Sequence, residues 1–199
     1  MDMVNNYTLL KEIINYAKEN KVPIMQSEGI DFVTTFIIKN QIRTILEIGS
    51  GIGFSAIMMA LCHTDIRIVS IERDQDRYLE AVKNIKKFGL EDRITLIYND
   101  AFNVKLTESF DMILIDAAKA QNQRFFELFK SNLKEKGYIL TDNMYFHGLV
   151  SKDEKEIKSR NLRGIVKKIK EYITFLNKNE EFTTTIYEVG DGIAVSEKK

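Results

Sequence analysis

From Arg43 onward the chain alternates short, continuous apolar runs with amphipathic helical stretches, and that alternation leaves few folds open. The apolar runs fall at 44–48, 67–71, 94–98, 112–115 and 138–141, and helical patterns occupy 54–62, 74–88 and 121–133 between them. Strands that are apolar throughout and separated by helices belong to a parallel sheet covered on both faces. The expectation is therefore a doubly wound α/β fold built on a mostly parallel, seven-stranded sheet. Its last two strands come from the runs at 182–189 and 193–196, which Gly190-Asp191-Gly192 joins as an antiparallel hairpin. A helix expected at 156–177 gathers Leu162, Ile165, Val166, Ile169, Ile173 and Leu176 on one face. Two more, at 5–20 and 28–39, flank the turn at Pro23 and precede the sheet.

Size and composition set the outer limits. With 199 residues, 44% of them hydrophobic, the chain suits one core and a single domain, with an N-terminal helical cap over 1–40 and an α/β core over 41–199. Lys plus Arg and Asp plus Glu both number 29, so no net charge draws the whole molecule to a polyanion, and any basic surface must be local. The lone cysteine, Cys62, excludes an intramolecular disulfide and fits a reducing compartment. No apolar run approaches the roughly 18 residues of a membrane span, and the expectation is a cytoplasmic protein that makes no use of a membrane.

In doubly wound sheets, ligands settle at the carboxyl ends of the strands, so the residue after each apolar run carries the most information. The first run is followed by Gly49-Ser50-Gly51-Ile52-Gly53, where missing side chains let a ligand approach the backbone and the next helix N-terminus. Alone, this loop is either a nucleotide-like site or simply a tight strand-to-helix turn. Phe54 stands where a dinucleotide fingerprint has its last glycine, which argues against NAD. The second run is followed by Glu72, 23 residues after Gly49, where a carboxylate can accept hydrogen bonds from both ribose hydroxyls. The third is followed by Asn99-Asp100-Ala101, and Asp100 can accept the exocyclic amino hydrogens of adenine. A surface acid at Glu72 and an Asx turn at Asp100 are the plainer alternatives, less favoured because both acids fall in register after successive strands.

The fourth run ends in Asp116 and the fifth in Asp142-Asn143. If these strands are adjacent and parallel, three oxygen-bearing side chains converge, and oxygen-only ligation suits Mg²⁺, Mn²⁺ or Ca²⁺. The alternative makes them ordinary loop or capping residues, but two facing carboxylates without a cation are electrostatically costly. Lys119, three residues beyond Asp116, either takes a proton from a substrate hydroxyl, holds an anionic oxygen, or is merely solvated. His147 is a candidate substrate contact, although a lone loop histidine is usually incidental. Cys62 and His63 are assigned no chemistry.

Together these residues resemble the metal-dependent class I O-methyltransferases, the catechol and caffeoyl-CoA O-methyltransferase-like family, over a match running from about Val22 to the C-terminus. The resemblance implies a Rossmann-like core that binds S-adenosylmethionine. Glu47, Gly49, Ser50, Gly51 and Ser55 would line the methionine side, Glu72 the ribose, and Asp100 and Ala101 the adenine. The segment ending in Met25 would close over the cofactor. Asp116, Asp142 and Asn143 match the family's metal triad, with Asp116 also beside the cofactor, and Lys119 matches the lysine assigned as base. A homodimer through the N-terminal helices is a further implication. Within the family, Val22-Pro23-Ile24-Met25, Ile115-Asp116-Ala117-Ala118-Lys119 and Glu156-Ile157-Lys158-Ser159-Arg160 are most similar to the bacterial tRNA 5-hydroxyuridine methyltransferases, which make wobble 5-methoxyuridine. His147 departs from the plant enzymes, which have a substrate-contacting asparagine there.

A local charge surplus points the same way: from Ser151 to Tyr172 there are eight basic and four acidic residues, and Arg160, Arg163, Lys167 and Lys170 lie at helical spacing away from the apolar stripe. Such a ridge can follow a phosphate backbone, and a merely solvated helix face explains it equally well. The sequence thus favours a methyltransferase acting on tRNA, with Arg160, Arg163 and His147 as substrate contacts. The same chemistry on a small catechol-like or caffeoyl-like acceptor is the closest rival. An NAD-dependent oxidoreductase or a non-catalytic adenosyl-binding module leaves the metal triad unexplained.

Overall fold

All seven apolar runs become strands in the computed structural model, which describes residues 3–199. They form one sheet in the order β3-β2-β1-β4-β5-β7-β6. By their contacts the residues gather into two units, one from the N-terminus to Lys105 and one from Leu106 to Lys199. No helix among the described residues is long and apolar enough to cross a membrane.

The first unit contains α1 (Met3–Glu19), α2 (Ser27–Lys39), β1 (Thr44–Ile48), α3 (Phe54–Leu61), β2 (Arg67–Glu72), α4 (Gln75–Lys87) and β3 (Ile94–Tyr98). The three strands are parallel, with Glu47 beside Ser70 and Glu72 beside Tyr98. Ile45, Leu46 and Ile48 of β1 are all buried, as the unbroken apolar run requires of a strand covered on both faces. In α4 the Asp74 carboxylate accepts from the Arg77 amide at 3.0 Å, capping the helix start, and Ala81, Asn84 and Ile85 form its buried face.

The second unit contains β4 (Phe110–Ile115), α5 (Asn122–Phe129), β5 (Leu133–Thr141), α6 (Arg160–Lys178), β6 (Phe182–Tyr187) and β7 (Ile193–Lys198). Strands β4 and β5 are parallel, whereas β7 runs antiparallel to both β5 and β6 and lies between them. The chain therefore ends in the expected antiparallel pair. Three of the boundaries that differ from the sequence reading have a plain physical cause. The helix expected at 121–133 is α5 alone, bracketed by 3₁₀ turns at Lys119–Gln121 and Lys130–Asn132, because Leu133 is claimed by β5 and pairs with Phe110. The helix expected from 156 begins at Arg160, because Ser159 is extended and caps it by accepting from the Leu162 amide. Strand β6 stops at Tyr187, since Val189 is drawn into the following turn by the Gly192 amide at 2.9 Å.

Aromatic rings join α5 to α6 and β6. Phe126 packs edge-to-face against Tyr172, Phe175 and Phe182 at centroid distances of 6.3, 5.4 and 4.9 Å. At the centre of this packing the Tyr172 hydroxyl is hydrogen-bonded to the Thr141 hydroxyl at 2.9 Å, with both groups buried. That bond anchors the last residue of β5, immediately before Asp142. Tyr172→Phe leaves the Thr141 hydroxyl buried and unpaired, so it is expected to lower stability by about 1–2 kcal/mol, read as a shift in the denaturation midpoint at constant slope.

Candidate active site

In the first unit the Gly49–Gly53 loop follows β1 and is held from two sides. The Gly49 and Ser50 amides donate to the Ile71 carbonyl at 2.9 and 3.3 Å, and the Gly51 amide donates to Glu72 Oε2 at 2.8 Å. From α4, the Asn84 amide nitrogen donates to the Ile52 carbonyl at 2.9 Å. Gly53, at φ +83°, caps α3, and a Cβ there would sit 3.3 Å from the Ala81 Cβ, so both conformation and space require glycine. The Pro23 carbonyl comes within 3.9 Å of where a Cβ on Gly51 would be, which places the segment ending in the buried Met25 against the loop. Within the loop, the Ser50 hydroxyl is buried without a hydrogen-bond partner. A buried hydroxyl is rarely left so, and a ligand's polar atom would satisfy it.

Glu72 accepts at Oε1 from the Arg73 and Asp74 amides, at 2.9 and 2.8 Å, besides Gly51 at Oε2. Three backbone donors leave one of roughly four acceptor directions open. The Asn99 amide donates to the Glu72 carbonyl at 3.0 Å, which brings Asp100 to the same strand edge. Asp100 does form the Asx turn, accepting from the Phe102 amide at 3.0 Å, while its other oxygen lies 3.7 Å from the Arg73 guanidinium. Ala101 beside it is buried. Glu47 lies deeper: fully buried, it accepts from the Ser55 hydroxyl at one oxygen and the Ser70 hydroxyl at the other. The structure thus joins Glu47 and Ser55 as a pair that braces α3 on the sheet. Ser70, which the sequence reading passed over, completes it.

In the second unit, Ile115 pairs with Thr141, so Asp116 and Asp142 emerge from adjacent parallel strands, tied by the Asp142 amide donating to the Ile115 carbonyl at 3.1 Å. Lys119 Nζ donates to Asp116 Oδ1 at 2.7 Å. The Asn143 amide donates to Asp142 Oδ1 at 2.7 Å. Burial pushes the Asp142 carboxyl up to about 7; the charges of Asp116 and Asp191 add to the rise, and Lys119 and the Asn143 amide oppose it. No cluster of three His, Cys, Asp or Glu side chains forms among the described residues. The donor set is instead two carboxylates and one amide, the oxygen chemistry of a hard divalent cation that keeps several waters. Asp142 fits such a cation, which would remove the penalty of ionising it. His147 is exposed, with Nδ1 3.7 Å from Asp191. Arg160 and Arg163 sit in the first turn of α6.

A doubly wound sheet of this order, ending in an antiparallel strand and carrying the glycine loop after β1, is the Rossmann-like methyltransferase fold. The chain belongs to the O-methyltransferase family, whose profile matches residues 2–199. It is 28% identical over 189 residues to the caffeoyl-CoA O-methyltransferase of Populus kitakamiensis, covering 90% of this chain and 80% of that one. Among solved structures it is similar to a Staphylococcus aureus protein provisionally assigned as a caffeoyl-CoA O-methyltransferase, with 34% identity, TM-score 0.90 and complete coverage of both chains. The O-methyltransferase of Bacillus cereus in complex with S-adenosylhomocysteine shares the fold, with TM-score 0.82 and 23% identity over 96% of this chain and 91% of that one.

The Asp142 shift sets a stability trend. The unfolded carboxyl releases its proton near its ordinary value of 3.8, and the folded one only near 7. Between these values the folded state holds more protons, so this group's contribution to stability is full below the lower value and lost as pH rises through the upper one. Asp142→Asn removes that loss. In metal-free protein it is expected to be more stable than wild type above about pH 7, with the difference shrinking as pH falls and vanishing near pH 4, as thermal melts across pH would show.

Proposed function

We propose that this O-methyltransferase takes its methyl group from S-adenosylmethionine and transfers it, with a divalent metal, to a hydroxyl of a small catechol-like or caffeoyl-like acceptor. The observation that carries the reading is the Asp116–Asp142 pair beside Asn143: two carboxylates from neighbouring strands, one of them held protonated up to about 7 by burial. In a site without a cation this arrangement is costly, whereas around one it is functional. The acceptor class is supported by the caffeoyl-CoA relatives, and the cofactor by the loop and acids of the first unit. Glu72 is suited to ribose hydroxyls, Asp100 to the adenine amino group, and Ser50 to a polar atom of the methionine portion.

A bound sulfonium would supply an activated methyl and a neutral thioether leaving group, and a cation held by Asp116, Asp142 and Asn143 would supply a lowered hydroxyl pKa and a fixed acceptor orientation. The residues themselves do the remaining work. Asp116 and Asp142 contribute the negative charge that retains the cation. Lys119 pairs with Asp116 through Nζ; with that carboxylate shared with a cation, Nζ would be free to turn to the acceptor, where as an ammonium it would hold the anionic oxygen or, having first passed its own proton to solvent, would accept the hydroxyl proton. In the transfer the acceptor oxygen would bond to the methyl carbon as the carbon–sulfur bond breaks, with the electron pair left on sulfur.

A second reading keeps the chemistry and takes 5-hydroxyuridine of the tRNA wobble position as acceptor. It is favoured by the exposed Arg160 and Lys167 on the outer face of α6, with the half-buried Arg163 beside them. Transfer of labelled methyl to a caffeoyl-CoA and catechol panel, run beside transfer to tRNA carrying 5-hydroxyuridine, separates the two. Activity on the small acceptors that survives R160A/R163A is expected; activity confined to tRNA overturns the preferred acceptor. Asp116→Ala is expected to lower kcat/KM by on the order of 100-fold, and full activity of that variant in chelator would remove the metal from the mechanism. Glu72→Ala is expected to weaken S-adenosylhomocysteine binding at least roughly tenfold by calorimetry.

A further inference from the structure

We propose that Asp191, in the turn between β6 and β7, is the positioning residue that fixes the side-chain amide of Asn143, so that its carbonyl oxygen rather than its nitrogen serves beside Asp116 and Asp142. The inference rests on the metal reading above and assigns a role to a residue outside that triad.

Asp191 is only 6% exposed, yet it lies in a hairpin turn, where an aspartate is ordinarily solvated. Its carboxylate accepts from two groups of one loop: the Asn143 side-chain nitrogen at 3.2 Å on Oδ2, and the His147 backbone amide at 2.5 Å on Oδ1. A carboxylate offers acceptors only, so the amide facing it must present its NH₂ group, and the carbonyl oxygen is left on the opposite side. The reverse orientation would set two acceptors against each other in a buried site. Asp191 thereby determines which end of Asn143 is available as a ligand.

The backbone holds the two segments together more firmly than a surface loop requires. The Tyr145 amide donates to the Asp191 carbonyl at 2.8 Å, and the Met144 amide to the Gly192 carbonyl at 3.0 Å. Gly192 has φ +85°, and a Cβ there would lie 2.8 Å from the Tyr145 ring, so the turn presses directly on the loop. Three non-glycine residues of that loop, Asn143, Phe146 and His147, have positive φ values of 63°, 46° and 55°. Such conformations persist where the surroundings over-determine them, and they cluster at working sites. Here the over-determining contacts come from Asp191 and its turn.

The test uses Mn²⁺ alone as probe, with free Mn²⁺ followed by electron paramagnetic resonance. Asp191→Asn is expected to weaken Mn²⁺ binding by roughly 10- to 100-fold, with S-adenosylhomocysteine affinity within about twofold of wild type as the control for folding. Asn143→Asp alone sets carboxylate against carboxylate and weakens binding too. The exchanged pair, N143D/D191N, restores a donor facing an acceptor and is expected to recover most of the affinity. In wild type the His147 amide is expected to be protected from hydrogen exchange and to lose that protection in D191N, a readout independent of any metal. Unchanged Mn²⁺ affinity in D191N, or an exchanged pair no better than either single variant, overturns the assignment of Asp191. Wild-type protein that binds no Mn²⁺ overturns the underlying metal reading instead.

Discussion

Parallel pairing of buried strands is the constraint on which the site depends. In a parallel ladder, neighbouring strands end at the same edge, and the residue after each strand inherits that position whatever its side chain. The register of Ile115 with Thr141 brings Asp116 and Asp142 to one edge. That of Ile71 with Ile97 and of Glu72 with Tyr98 does the same for Glu72 and Asp100. Because the strands are buried on both faces, slipping the register by one residue would turn every side chain over. The hydrophobic core therefore fixes the polar site without touching it.

Four buried carboxylates show how differently the fold treats the same chemical problem. Glu47 is satisfied by two serine hydroxyls, Glu72 by three backbone amides, and Asp191 by an amide side chain and a backbone amide. Each has donors in place for its charge. Asp142 has the Asn143 amide, but it also has burial and two negative neighbours, and Lys119 donates to Asp116 rather than to it. A group left short of compensation in an otherwise well-satisfied set marks the place where the fold has been arranged for something other than its own stability.

This contrast also explains what the sequence could reveal. Strand positions were legible because the apolar runs are continuous, and the residues following them could be read in order, from Gly49 to Asn143. Helix ends were harder: α5 is truncated by 3₁₀ turns and by Leu133 joining β5, an outcome set by long-range pairing with Phe110 rather than by local pattern. Asp191 was visible only as the middle of a turn signal, because its importance comes from Asn143, 48 positions away. Ser70 was hidden similarly, in a strand whose neighbour supplies Glu47. Residues that follow strands leave a mark in sequence order, and the partners that reach them from other elements do not.

Lys119 shows how the two levels of description meet. Its place three residues after Asp116 left open a base, an anion holder or a solvated side chain, and the structure pairs its Nζ with Asp116 Oδ1 at 2.7 Å. The two descriptions are consistent if the carboxylates exchange partners. On the proposed reading, a cation held by Asp116 and Asp142 would share the oxygens that Lys119 faces, and would leave the Lys119 Nζ free to turn toward an acceptor. The compensation that Asp116 enjoys and Asp142 lacks is, in this light, exchangeable rather than structural.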